Sequence, residues 1–300
     1  MSRGGVDQAG AAWQTSPIVL ELPTPRSHHV SAAGCTVHVV EWGTAAHPPL
    51  LLVHGGMAHA RWWDLVATRL AARAHVFAVD LPGHGDSPWL EPGRYAHVEQ
   101  PVVRELLDLL APGPWTLGGH SNGGLQCVVT ASDGDVPVDR LVLVDIPLDP
   151  TGPRLVRSGS GFRRMPQPRW ASRDEAVAAF RLFPRDGDAP ADALGHVAAH
   201  SVRARDDGTW TSKFDWRYFR ERDPAAPHPY ATFGPRLARL PYPTLVVRGE
   251  RSSIQSAEDH AALLATIPRA RGVVIGGAGH NPHVERAGET AAAIERFLDG

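Results

Sequence analysis

A chain of 300 residues with 43% hydrophobic and 21% charged side chains is ordinary for a soluble globular protein, and it is long enough to bury a core without disulfides or a metal. The formal net charge of -2, with both signs interspersed, provides no basic face and excludes a nucleic-acid partner on electrostatic grounds. The first seventeen residues lack the apolar run of a signal peptide, and no eighteen-residue apolar stretch exists to span a membrane, so a flexible leader (1–24) and a cytoplasmic location are expected.

In chain order, residues 27–32 and 35–42 (CTVHVVEW) read as a hairpin, and 50–54 (LLLVH) as a strand covered on both faces. A helix over 61–73 carries Trp62, Leu65, Val66 and Leu70 on one face. Strand 75–80, helix 98–110, strand 115–119, helix 124–132 and strand 140–145 follow. This alternation predicts an α/β fold with a mostly parallel sheet. It stops at 147–235, where Arg, Pro, Trp and Gly dominate and only short amphipathic pieces (173–182, 191–204) are legible. The interruption is too long for a loop. It is expected to be a helical cap over the carboxyl ends of the strands, where open α/β sheets bind ligands. The pattern resumes with strand 244–248, helix 257–267, strand 272–275 and a closing helix over 284–298, giving a core of 25–146 and 236–300.

Two cysteines, Cys35 and Cys127, lie in apolar stretches and read as buried thiols. Among sixteen histidines, His28-His29 and His280-Asn281-Pro282-His283 are the closest approaches. Neither has the spacing of a zinc site, so no metal and no cofactor are expected.

The sharpest motif is Gly119-His120-Ser121-Asn122-Gly123, a G-x-S-x-G pattern between a strand and a helix. A nucleophile on such a turn has a strained backbone with neighbouring chain close by, and the flanking glycines remove side chains that would clash. The Asn122 N–H falls at a helix N-terminus, able to donate to an oxyanion.

With His54-Gly55-Gly56-Met57, Gly83-His84-Gly85-Asp86-Ser87 and Gly277-Ala278-Gly279-His280, this motif makes the chain resemble the α/β-hydrolase superfamily over roughly residues 30–298. The resemblance implies a Ser121 nucleophile with His280 as its base, preferred over His283, which reads as a surface residue at the start of the last helix. His120 is assigned to packing or hydrogen bonding. Oxyanion donors would be the Gly56 and Asn122 amides, with Met57 as the alternative to Gly56. The family commonly places its acid after the strand at 244–248, but that loop reads Gly249-Glu250-Arg251-Ser252-Ser253. Two candidates stay open: Asp145, from the neighbouring strand end, with Ser252 adding a hydrogen bond to the imidazole, or Glu250. Either would hold the tautomer and stabilise the imidazolium.

The glycine-rich stretch 80–87 lacks a dinucleotide fingerprint and reads as structural. Aromatics at Phe162, Trp170, Phe180, Phe183, Trp210, Phe214, Trp216, Tyr218, Phe219, Tyr230 and Phe233 suit a lid over an apolar substrate, or a small core of the cap. Arginines 154, 157, 163, 164 and 169 suit an anionic substrate or a solvated face. The expected activity is hydrolysis of a small to medium apolar carboxylic ester or thioester through an acyl-serine. A carbon–carbon bond hydrolase of a β-diketone-like compound and a low-turnover binding protein are the alternatives. Oligomeric state is not legible.

Overall fold

The computed structural model describes residues 22–91, 93–95, 98–133, 136–150, 165–220 and 233–300. Most of the expected leader, Phe162, Tyr230 and Arg154, Arg157, Arg163 and Arg164 lie outside these residues.

Eight strands form one sheet in the order β1-β2-β4-β3-β5-β6-β9-β10. They are β1 (Arg26–Ala32), β2 (Cys35–Trp42), β3 (Pro49–Val53), β4 (His75–Val79), β5 (Trp115–His120), β6 (Val138–Val144), β9 (Thr244–Gly249) and β10 (Ala270–Ile275). β2 is antiparallel to both β1 and β4, and every other pairing is parallel. The central strands β3 and β4 are buried at every position, as continuous apolar runs such as PLLLV require when helices cover both faces.

Two apolar layers sandwich the sheet. On one side α2 (Glu99–Leu109) and α3 (Asn122–Ser132) contribute Val102, Leu106, Leu125 and Val128. On the other, α1 (Asp64–Leu70) and α10 (Ala287–Leu298) contribute Val66, Leu70, Ile294 and Phe297. Cys35 and Cys127 are free and buried. Among the described residues, no helix is long and apolar enough to cross a membrane.

Three expectations are corrected. The helix over 61–73 is a 3-10 turn (Ala60–Trp63) leading into the shorter α1, and its apolar residues divide. Val66 and Leu70 face the sheet, whereas Trp62 packs with Leu182, Val197 and partly buried Leu65. The helix over 191–204 stops as α5 (Ala191–His200), after which Val202–Ala204 (β7) pairs antiparallel with Trp210–Ser212 (β8). The Asp207-Gly208 turn makes this hairpin, with Gly208 at φ +81° supplying the left-handed residue. The closing helix is interrupted at Arg286 (φ −142°, ψ 57°), which separates α9 (Pro282–Glu285) from α10.

Three further helices, α4 (Arg173–Ala179), α6 (Arg217–Arg220) and α7 (Phe233–Leu237), lie between β6 and β9, and α8 (Ala257–Thr266) joins β9 to β10. Ser256 caps α8 with a reciprocal capping box to Asp259.

Candidate active site

β3 pairs with β4 on one side and β5 on the other, so the chain's course reverses at β3, and the carboxyl ends of β3 and β5 are the switch point whose crevice binds ligands in open α/β sheets. His54 to Met57 follow β3 and Ser121 follows β5. The two turns touch. A Cβ on Gly55 would fall 2.6 Å from His120 Nδ1 and 3.2 Å from the Ser121 Cβ. One on Gly123 would fall 2.3 Å from the Val53 carbonyl oxygen. Both glycines are therefore dictated by the close approach of the β3 turn to the Ser121 turn.

Ser121 has φ 49° and ψ −119°, a conformation costly for an L-residue with a side chain. It is held there by its N–H, which donates to Val144 O at 3.0 Å, and by its carbonyl, which accepts from Leu125 N at 3.1 Å as α3 begins. Among the described residues the other non-glycine positive-φ positions are Ala33, Met57 and Asp145. Ala33 lies in the β1–β2 turn. The remaining three stand together at the ends of β3, β5 and β6.

Asp145 is fully buried, and three donors converge on its carboxylate. His280 Nδ1 donates to Oδ1 at 2.7 Å, Ser252 Oγ donates to the same oxygen at 2.6 Å, and Gly249 N donates to Oδ2 at 2.8 Å. The Asp145 N–H in turn donates to Val247 O at 2.7 Å, locking the left-handed residue against β9. With Nδ1 donating, the His280 Nε2 carries the lone pair. Ser252 thus bonds the carboxylate, not the imidazole as expected, because its position three residues past the end of β9 brings it beside the end of β6. It also accepts from Gln255 N at 3.1 Å, so the 252–255 turn and the carboxylate are built together. Glu250 is exposed and accepts from Gly277 N at 2.7 Å; the structure does not bring it to His280.

His120 Nε2 donates to the His280 carbonyl at 2.8 Å, in keeping with the packing and hydrogen-bonding role expected of it. His283 is corrected: it is fully buried in α9, its ring 4.4 Å from those of Trp63 and His120, with neither ring nitrogen hydrogen-bonded. Burial pushes the His283 imidazole down to about 3 and holds His120 well below its ordinary value. Both rings are neutral at pH 7, so His280 faces no imidazolium.

The Gly56 amide lies in an exposed part of the β3 turn, half-buried Met57 follows it at φ 65°, and Asn122 opens α3. His54 sets this turn by donating from Nδ1 to Gly55 O at 2.7 Å and accepting from Leu81 N at Nε2, 3.0 Å. Buried Asp80 organises the 80–87 stretch by accepting from Ala60 N, Asp86 N and His38 Nδ1.

Asp186 was not singled out from the sequence, yet it ties the 183–188 segment to the site. Its carboxylate accepts from His280 N at 3.0 Å and from Ser253 N and Oγ at 2.7 Å. An aspartate in an Arg-Asp-Gly-Asp loop carries no spacing signal for this role. The described aromatics mostly pack on one another: Phe214, Tyr218 and Phe219 form a cluster with His84 and Tyr95, and Phe233 is buried, while Phe183 is exposed.

The family model described as alpha/beta hydrolase fold matches residues 48–287. The Mycobacterium tuberculosis esterase Rv0045c is 30% identical over 296 residues, covering 92% of this chain and 90% of the relative. The Escherichia coli esterase YbfF is 26% identical over 252 residues, 84% of this chain and 93% of the relative. The crystal structure of E-2-(acetamidomethylene)succinate hydrolase superposes with a TM-score of 0.78 at 24% identity, covering 92% of this chain and 100% of that one. The chain belongs to the α/β-hydrolase family and is a hydrolytic enzyme.

Proposed function

We propose that the chain is a serine hydrolase that cleaves a small to medium apolar carboxylic ester or thioester, with Ser121 as nucleophile, His280 as general base and Asp145 as the acid. The observation that carries this reading is the 2.7 Å contact of His280 Nδ1 with the buried Asp145 carboxylate, beside a serine in a strained strand-to-helix turn. His280 Nε2 takes the Ser121 proton as Oγ attacks the acyl carbonyl, then returns it to the departing alcohol or thiol. Water, deprotonated by the same nitrogen, hydrolyses the acyl-Ser121. The Gly56 and Asn122 amides hold the oxyanion, each contributing about 3 kcal/mol to the transition state. Met57 is the alternative donor to Gly56. Residues 147–235 serve as the cap that bounds the acyl pocket.

The esterase names of two relatives support ester over carbon–carbon cleavage, which would use the same serine and histidine. A low-turnover binding protein would suit a site lacking the acid, and the loop at 249–253 has no aspartate; the Asp145–His280 contact offers one from the neighbouring strand.

The test is hydrolysis of p-nitrophenyl and thioester acyl series. Asp145→Asn is expected to lower kcat by about a thousandfold or more as control of the imidazole tautomer is lost, with Glu250→Gln nearly silent. A mild Asp145→Asn with a severe Glu250→Gln would overturn the acid assignment.

A further inference from the structure

Away from the crevice, α5 carries His196 and His200 one helical turn apart, on the same face. That face meets Asp64 at the start of α1. One nitrogen of each histidine and one oxygen of Asp64 all lie within 4.8 Å of one another. The nearest pair, His196 Nε2 and Asp64 Oδ2, are 2.6 Å apart. A zinc-class cation bonded at about 2.0–2.2 Å to nitrogen and oxygen needs ligand atoms about 3.3 Å apart, which these separations bracket.

The chemistry of each group fits. His200 donates from Nδ1 to the His196 carbonyl at 2.9 Å, leaving its Nε2 as a lone pair and fixing the ring by a backbone hydrogen bond, as metal-bound histidines usually are. Asp64 is only 2% exposed, and its Oδ1 has no hydrogen-bond partner. A buried carboxylate oxygen without a donor calls for a cation or a water. Arg61 Nε lies 2.7 Å from the other oxygen, Oδ2, leaving Oδ1 unmet, and is a repulsive charge toward a metal.

We propose that His196, His200 and Asp64 form a binding site for a divalent first-row transition cation of the zinc class. The ion joins two parts of the chain: α5 lies between β6 and β9, and α1 follows β3. It therefore fastens the segment over residues 191–200 to the core. The fastening point adjoins Trp62 and Trp63, whose rings pack on His283, which in turn packs on His120 beside His280.

The experiment titrates Zn2+ into chelator-treated full-length protein by calorimetry and Co2+ by visible absorption, with wild type, His200→Ala, His196→Ala and Arg61→Gln. One equivalent bound at micromolar affinity is expected, with ligand-field absorption for bound Co2+. Each histidine variant should weaken binding by at least about tenfold, and Arg61→Gln should tighten it. Zn2+ should also raise the Tm of wild type but not of His200→Ala, because only a cation bound to the folded site stabilises it. His200 is half-buried and its one described hydrogen bond is within its own helix, so its alanine variant is expected to fold, as circular dichroism will verify. No binding at 100 µM metal, or equal affinity in wild type and His200→Ala, overturns the proposal; the second result would place the ion on other histidines. None of these readouts depends on ester hydrolysis.

Discussion

Lowering the pH from 7.5 to 5.5 should destabilise this protein well before its carboxylates titrate. His54 and His84 are fully buried against one another, their ring centroids 4.7 Å apart, and both are pushed down to about 4, chiefly by burial; His283 is at about 3 for the same reason. The unfolded chain offers these imidazoles a value near 6.5, so below that pH it binds more protons than the folded protein does. Their contribution is present above pH about 6.5 and is lost as the pH falls toward 4. At pH 5.5 each ring costs roughly 1–2 kcal/mol and the three together roughly 4 kcal/mol, a large share of a typical net stability of about 5–15 kcal/mol. Glu285, raised by burial, offsets a little of this in acid, and Asp80, held low chiefly by its hydrogen bond from His38, acts in the same direction as the histidines but at lower pH. Urea melts at the two pH values measure the difference, which should move the midpoint down by about 1 M or more. His283→Phe removes one of these titrations, roughly 1–2 kcal/mol at pH 5.5, and should shrink the pH-dependent shift by that amount, with buried His59 and His120 still contributing in the same direction. An unchanged midpoint would show that the rings accept protons without unfolding and would refute the reasoning.

Ser252→Ala removes a 2.6 Å hydrogen bond to the Asp145 carboxylate while leaving the 2.7 Å bond from His280, so kcat for a p-nitrophenyl ester should fall about tenfold with KM little changed. Gly123→Ala places a methyl 2.3 Å from the Val53 carbonyl oxygen and 2.5 Å from that of His54. Backbone on both sides cannot yield cheaply, so thermal melting should report a loss of at least about 2 kcal/mol.

The alternation of apolar strands and amphipathic helices made the core legible. PLLLV, HVFAV and LVLV are continuous because both sheet faces are covered, and each became a central strand. The Ser121 turn was legible as well, since a strained serine pressed between two chains needs glycine at fixed positions. Other features left weaker marks. Ser252 and Asp145 are 107 residues apart and meet only because β6 and β9 are neighbours, which no local spacing encodes. His283 looks polar on paper, yet the aromatic faces of Trp62 and Trp63 bury it. The β7–β8 hairpin was hidden because three-residue strands are too short to show alternation, although the Asp-Gly turn was there to be noticed. His196 and His200 show helical spacing, but their carboxylate partner is 132 residues from His196.

Whether Ser121 is a nucleophile activated by His280 can be read from labelling with a fluorophosphonate and mapping of the modified residue by mass spectrometry. Wild type should give a single adduct on Ser121, absent from Ser121→Ala and strongly slowed in His280→Ala. A folded wild-type protein that stays unlabelled, or one that labels equally in the His280→Ala variant, would contradict that activation.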